Sequence, residues 1–305
     1  MHKFKGYTYG VITSMTFGLI PLFTLPLMGD GMNYDSILFY RFLFATIALG
    51  IMLKITKQSY AIEKKDIPVL VLLGCFYTAS AMLLFWGYDF MGAGVATALH
   101  FTYPVFVTLL MLLIFKEKTS WLTWVAIFMA IVGVGVISVK GSELKMDMKG
   151  LVIVLLSAVA YASYILTVNK SRVKDMNGRK LAFYVFIVST VLFAVKASLN
   201  GGIQKVPDAS AYMNLVFLAV LPTVVSNITL VLAVHNIGGT MTSVLGAMEP
   251  VTAVLIGTLV FGEPFTLQDG LGVALIIVAV TIIILSDGIR KTFSSVFRMI
   301  RPRHA

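Results

Sequence analysis

A single cysteine among 305 residues leaves no partner for a disulfide within the chain, and Cys75 lies in an apolar stretch. Only 12% of the residues are charged, about half the share of a soluble domain. The four histidines (His2, His100, His235, His304) are scattered, and no pair has the spacing of metal ligands. No pattern for zinc, haem or a redox pair occurs, so neither a metal nor a cofactor is expected. A Gly-rich loop ending in Lys-Ser or Lys-Thr is also missing, which argues against a nucleotide as energy source. No stretch between apolar runs exceeds about 16 residues, leaving no room for a soluble catalytic domain.

Apolar runs are what the chain has instead. Hydrophobic residues make up 58% of it, and mean hydropathy is +0.92. Ten runs can be drawn, at 6–27, 37–53, 67–88, 91–115, 121–139, 151–168, 181–195, 212–234, 237–261 and 265–285. About twenty apolar residues cross a bilayer as a helix, so the expectation is an all-α membrane protein of ten transmembrane helices. The first run follows Lys3 and Lys5 like a signal peptide, but it is too long and has no small-residue cleavage site.

The chain repeats itself. Lys5-Gly6 recurs as Lys149-Gly150, and Phe39-Tyr40-Arg41-Phe42 as Phe183-Tyr184-Val185-Phe186, both at an offset of 144. Gly92, Pro104 and Glu117 recur as Gly238, Pro250 and Glu263 at an offset of 146. The expected organisation is a first five-helix repeat at 1–140, a second at 149–286, and a basic cytoplasmic tail at 287–305. Five spans is an odd number, so the second copy crosses in the opposite sense and the repeats are inverted.

The basic residues set the direction. With the N-terminus inside, 18 lysines and arginines lie on the inner side and 5 on the outer, the latter being Lys140, Lys145, Lys149, Lys196 and Lys205. That bias orients both termini toward the cytoplasm. The net charge of +10 is then explained by short loops and by a tail that meets an anionic inner leaflet, with no nucleic acid implied.

Two five-span repeats with a mid-span proline thirteen residues before a glutamate resemble the EamA family of the drug/metabolite transporter superfamily. Phe101-Thr-Tyr-Pro-Val with Phe-Lys-Glu117, Met248-Glu-Pro-Val with Phe-Gly-Glu263, and Arg41-Phe42 carry the resemblance, which extends over about residues 6–286. It implies a cavity between the halves of a multi-pass cell-membrane protein, and transport or export of small metabolites. The first span has no carboxylate, unlike that of the small multidrug exporters in the superfamily.

The residues themselves point the same way. Mid-span prolines in equivalent places of two halves mark a transporter's central site, and Pro104 and Pro250 are expected to bend their helices and free the carbonyls of His100 and Gly246. Glu249 is the one carboxylate deep in a span, where a charge costs roughly 3 kcal/mol. Either it holds the kink as a neutral hydrogen-bonder or it meets substrate or proton in a cavity, with Thr242 and Gly246 on its face. His100 shares a face with Tyr103 and is either a satisfied buried ring or a cavity group. Arg41 either snorkels outward or pairs with a substrate carboxylate. Tyr161, Tyr164 and Asn227 complete the candidate set in mid-span, with Trp86 at a span end where an aromatic belt also accounts for it. Glu117, Glu263 and Asp269 read as solvated helix ends.

Spans 3, 4, 8 and 9 are expected to line the cavity, with 1, 2, 6 and 7 closing over it. The functional expectation is a secondary transporter, working as an exporter of a small polar metabolite such as an amino acid and driven by protons or the substrate gradient. An integral-membrane transferase or a channel are the alternatives.

Overall fold

The computed structural model describes residues 2–116, 120–138 and 148–300. Glu117 and most of the stretch between the expected repeats therefore lie outside the described residues. Thirteen α-helices and one π-helical turn are present, with no strand among the described residues: α1 (His2–Gly18), α2 (Ile20–Gly29), α3 (Tyr34–Ile55), α4 (Ile67–Gly87), α5 (Ala93–His100), α6 (Tyr103–Phe115), α7 (Trp121–Ser138), α8 (Met148–Lys170), α9 (Gly178–Leu199), α10 (Ala209–Ala219), the π turn (Val220–Val225), α11 (Ser226–Leu245), α12 (Met248–Phe261) and α13 (Leu267–Ile300). Eight segments are long and apolar enough to cross a membrane, and Trp121–Val136 and Met248–Phe261 are two shorter apolar helices. Together they form the ten-helix architecture.

The helices outnumber the spans because prolines interrupt four of them. Pro21 opens α2 and has no N–H for the carbonyl of Phe17, so the first span breaks at Leu19. Pro104 is the second residue of α6 and Pro250 the third of α12; each is preceded by a two-residue turn, Phe101-Thr102 and Gly246-Ala247. These spans are broken where a bend was expected. The Gly246 carbonyl is not free, because it accepts from the Glu249 N–H at 3.0 Å.

Nothing in the helical backbone marks the expected boundary at 235–236. The reversal is visible in packing. Thr13 meets Thr229 and Gly6 meets Asn236 and Ile237, whereas Gly10 meets Leu245 and Gly18 meets Glu249 and Thr252. Along α1 the contacts first run antiparallel and then parallel, so the chain doubles back inside α11. α13 also runs to Ile300, so the backbone of residues 287–300 in the expected tail is helical.

Inverted symmetry is written into the contacts. Helices from spans of equivalent position pair with each other, α3 with α9, α5 with α12 and α7 with α13, while α1 packs on α11 as α4 packs on α8. Gly6 lies against Asn236 and Ile237, and its repeat mate Gly150 lies against Phe90 and Met91. Thr13 donates to the Ser226 carbonyl at 3.4 Å, and its mate Ser157 donates to the Ser80 carbonyl at 2.8 Å. Tyr40 donates to the Gln204 carbonyl at 3.0 Å beside the start of α3; Tyr184 donates to the Tyr60 carbonyl beyond its end. The αL caps match too: Gly262 (φ +65°) after α12 and Lys116 (φ +51°) after α6.

Glu263 and Asp269 are more than solvated ends. The Glu263 carboxylate accepts from the backbone N–H of Ala93 at 2.8 Å and of Gly94 at 3.2 Å, capping α5 across the repeat boundary. Asp269 is 1% exposed and closes a capping box with Thr266, accepting its N–H at 2.9 Å. Outward-facing positions of α7 carry Trp121, Phe128 and Ile131, all more than 60% exposed. Exposed apolar side chains on the outside of a membrane-spanning bundle suit contact with lipid.

Where α5 crosses α12, a methyl on Gly94 would lie 2.7 Å from the Val254 Cα and 3.2 Å from the Ala253 carbonyl oxygen. Both are backbone atoms that cannot swing aside. Gly94→Ala is expected to destabilise the protein by about 1–3 kcal/mol through overpacking. Gly135 in α7 has nothing within 4 Å of the same position, so Gly135→Ala should leave stability unchanged or slightly raised. Thermal unfolding of the two purified variants checks the contrast; equal melting temperatures would remove the close-crossing argument.

Candidate functional site

The broken spans meet at a cavity of about 140 Å3 in the middle of the helix bundle. It is lined by Thr13, Ser14, Phe17 and Ile20 of the first span, Arg41 of α3, and Tyr77, Ser80, Ala81 and Leu84 of α4. His100, Tyr103, Tyr161, Leu230, Thr242, Gly246 and Glu249 complete the wall. Spans 3, 4, 8 and 9 contribute as expected, but spans 1, 2 and 6 are lining elements too. The first span, interrupted at Leu19, reaches the cavity with residues from both sides of the break.

Arg41 is 4% exposed and does not snorkel. Its Nε donates to Thr223 Oγ1 at 3.1 Å, and its guanidinium lies 5.5 Å from the Phe42 ring and 5.9 Å from Phe85. Local backbone chemistry explains this seat. Pro222 has no N–H to offer the Leu218 carbonyl four residues back, and the Thr223 hydroxyl donates there instead, at 3.1 Å. Its oxygen is thereby left to accept from Arg41. Two aromatic faces and one fixed acceptor turn the remaining guanidinium N–H groups toward the cavity; none has a hydrogen-bond partner among the described residues.

Glu249 lies in the first turn of α12. No hydrogen bond or ion pair within 4.0 Å engages its carboxylate among the described residues, and it lines the same cavity as Arg41. α1 approaches closely here, since a side chain on Gly18 would touch the Glu249 carbonyl at 2.7 Å. Two opposite charges thus face one small space, each supported from behind and neither directly paired.

His100, Tyr103 and Tyr161 form an aromatic side. The Tyr103 and Tyr161 rings meet edge to face at 4.8 Å, and His100 lies 5.5 Å from Tyr161. His100 Nδ1 is 2.9 Å from Ser157 Oγ. Tyr164 does not line the cavity; it backs the wall, 5.2 Å from Tyr77 and 5.8 Å from Tyr161. Asn227 is not brought to the cavity either. Its side chain donates to the Thr223 carbonyl four residues back at 2.6 Å. Trp86 stands apart, 6.1 Å from the Phe90 ring at the end of α4. Tyr77, Ser80, Thr13 and Ser14 were not anticipated. Tyr77 was legible, because at an offset of 146 it is the repeat mate of Thr223.

A sequence comparison matches the EamA-like transporter family at residues 4–139 and again at 148–285. The chain belongs to the EamA-like transporter family. Among EamA-like relatives, the "Uncharacterized transporter YdfC" of Bacillus subtilis (strain 168) is 27% identical over 80% of this chain and 79% of its own. A "Probable terminal-alkyne amino-acid exporter" of Streptantibioticus cattleyicolor is 26% identical over 80% of this chain and 83% of its own. A solved crystal structure at 16% identity superposes with a TM-score of 0.64 over 94% of this chain and 98% of the other, which shows a likeness of fold alone. The chain is a multi-pass membrane protein of a transporter family.

Proposed function

We propose that this protein is a secondary transporter that exports a small polar metabolite of the amino-acid kind by alternating access, with both termini in the cytoplasm. The observation that carries the reading is the pair of opposite charges, Arg41 and Glu249, facing one cavity at the crossing of interrupted spans. A molecule bearing a carboxylate and an ammonium complements that pair end for end. The relative named as an amino-acid exporter is consistent with it, and relatives named as transporters favour it over a transferase.

Closures at both ends of the bundle suit a cavity that opens to one side at a time. At one end Lys196 binds both Asp35 oxygens at 2.6 and 2.7 Å, and Asn200 adds a bond at 2.9 Å. At the other, Arg172 bridges Glu63 at 2.8 Å and Asp66 at 2.7 Å. Protons or the substrate gradient drive the cycle in this reading, and the charged inner leaflet holds the tail.

Uptake and exchange of a labelled amino-acid panel in proteoliposomes tests the function; no exchange of any member would remove it. Orientation is tested separately, in a Cys75→Ser background. Lys205→Cys is expected to react with an impermeant thiol reagent on intact cells and Lys174→Cys to be protected. Both side chains are exposed, so the reverse pattern would overturn the topology.

A further inference from the structure

Ser157 fixes which nitrogen of His100 carries the hydrogen. The Ser157 hydroxyl has one hydrogen, and its oxygen lies 2.8 Å from the Ser80 carbonyl oxygen and 2.9 Å from His100 Nδ1. A carbonyl can only accept. Two oxygens 2.8 Å apart with no hydrogen between them would repel, so the hydroxyl donates to Ser80. The same oxygen must then accept from His100, which makes Nδ1 the donor. In the neutral ring Nε2 is left bare. It has no hydrogen-bond partner among the described residues and is open to the cavity that His100 lines.

We propose that Nε2 of His100 and the carboxylate of Glu249 together receive the primary ammonium group of the transported molecule, with Arg41 taking its carboxylate. This deepens the reading in Proposed function and rests on it. The count of donors supplies the selectivity. Two acceptors lining one small cavity need at least two hydrogens from the ligand. A primary ammonium carries three, whereas a dimethylammonium or a hydroxyl at the same place carries one. The poorer ligands leave an enclosed acceptor unpaired, the situation in which polar sites discriminate most strongly. The edge-to-face pair Tyr103 and Tyr161 adds aromatic surface favourable to a cation.

Ser157 is then a positioning residue. It is fully buried and acts through the imidazole. Ser157→Ala frees the ring to move its hydrogen to Nε2, turning the acceptor into a donor; Ser157→Thr keeps the hydroxyl.

The experiment has two arms on the full-length purified protein. In the first, 15N NMR of histidine-labelled protein, with His2, His235 and His304 substituted, reports the tautomer of His100. The expected result is hydrogen on Nδ1 in the unsubstituted site and in Ser157→Thr, with a shift toward Nε2 in Ser157→Ala. In the second, thermal stabilisation by the twenty amino acids selects the tightest binder, which is compared with its N,N-dimethyl and 2-hydroxy counterparts. The amino acid is expected to bind at least ~tenfold tighter than either, ~1.4 kcal/mol, and that margin should collapse in Ser157→Ala and return in Ser157→Thr. Hydrogen found on Nε2, or an amine preference that survives Ser157→Ala, overturns the proposal even where amino acids bind. Binding of none of the twenty overturns the amino-acid reading itself, and the proposal with it.

Discussion

Glu249→Gln is expected to lower concentrative transport at least ~tenfold, ~1.4 kcal/mol of differential interaction, while the protein still folds. Glutamine nearly matches glutamate in shape, and no hydrogen bond to the carboxylate is lost among the described residues, because none is present. What disappears is the negative charge facing the cavity. A carrier that must neutralise this charge, by proton or by cationic group, before it can close loses that requirement in the variant. The pH dependence of net transport should therefore flatten. Exchange of a neutral substrate is expected to survive, since exchange need not release a proton. Reconstituted protein followed by net flux and by exchange separates the two; unchanged net flux with an unchanged pH profile would leave Glu249 a structural role at the start of α12.

Arg41→Gln is expected to be the most destructive single change at the site. It removes the donor to Thr223, the contacts with Phe42 and Phe85, and the only positive charge lining the cavity among the described residues. Glu249 is then left facing the cavity with no positive charge lining it among the described residues, and a charge left uncompensated inside a bundle is destabilising. The melting temperature should fall well below that of Glu249→Gln. The double variant Arg41→Gln/Glu249→Gln is expected to recover part of that loss, because no unpaired charge remains. A double-mutant cycle reads the coupling directly, and additive losses would show that the two charges do not act on each other. Arg41→Lys keeps the charge but not the fork or the flat stacking surface, so it should restore stability better than recognition of a carboxylate.

Much of this architecture lay open in the sequence because membrane helices are specified locally. A run such as 67–88 has no water inside the bilayer to satisfy its backbone, so it must form helix wherever its partners are. The offset of 144 to 146 residues was equally local, and from it follow the matched pairs Gly6/Gly150 and Tyr40/Tyr184. The breaks before Pro104 and Pro250 were foreseen in place though not in kind. Those at Pro21 and Pro222 are the same chemistry at positions without a proline in the other copy, so the repeat gave no pointer to them.

The site divides along the same line. Glu249, Arg41, His100, Tyr103 and Tyr161 were recognisable as polar or aromatic groups too costly to face lipid, a property each carries by itself. Their meeting at one cavity was not a property of any of them. It depends on how the interrupted spans pack together, and on the Thr223 hydroxyl in the π turn that gives Arg41 its acceptor. Sequence alone determined the number of spans, their pairing into inverted copies and the residues that had to be kept from lipid, because hydrophobic length and charge cost act residue by residue. Only the tertiary structure decided which of those residues share a space, because small departures from a straight helix rotate every side chain beyond them.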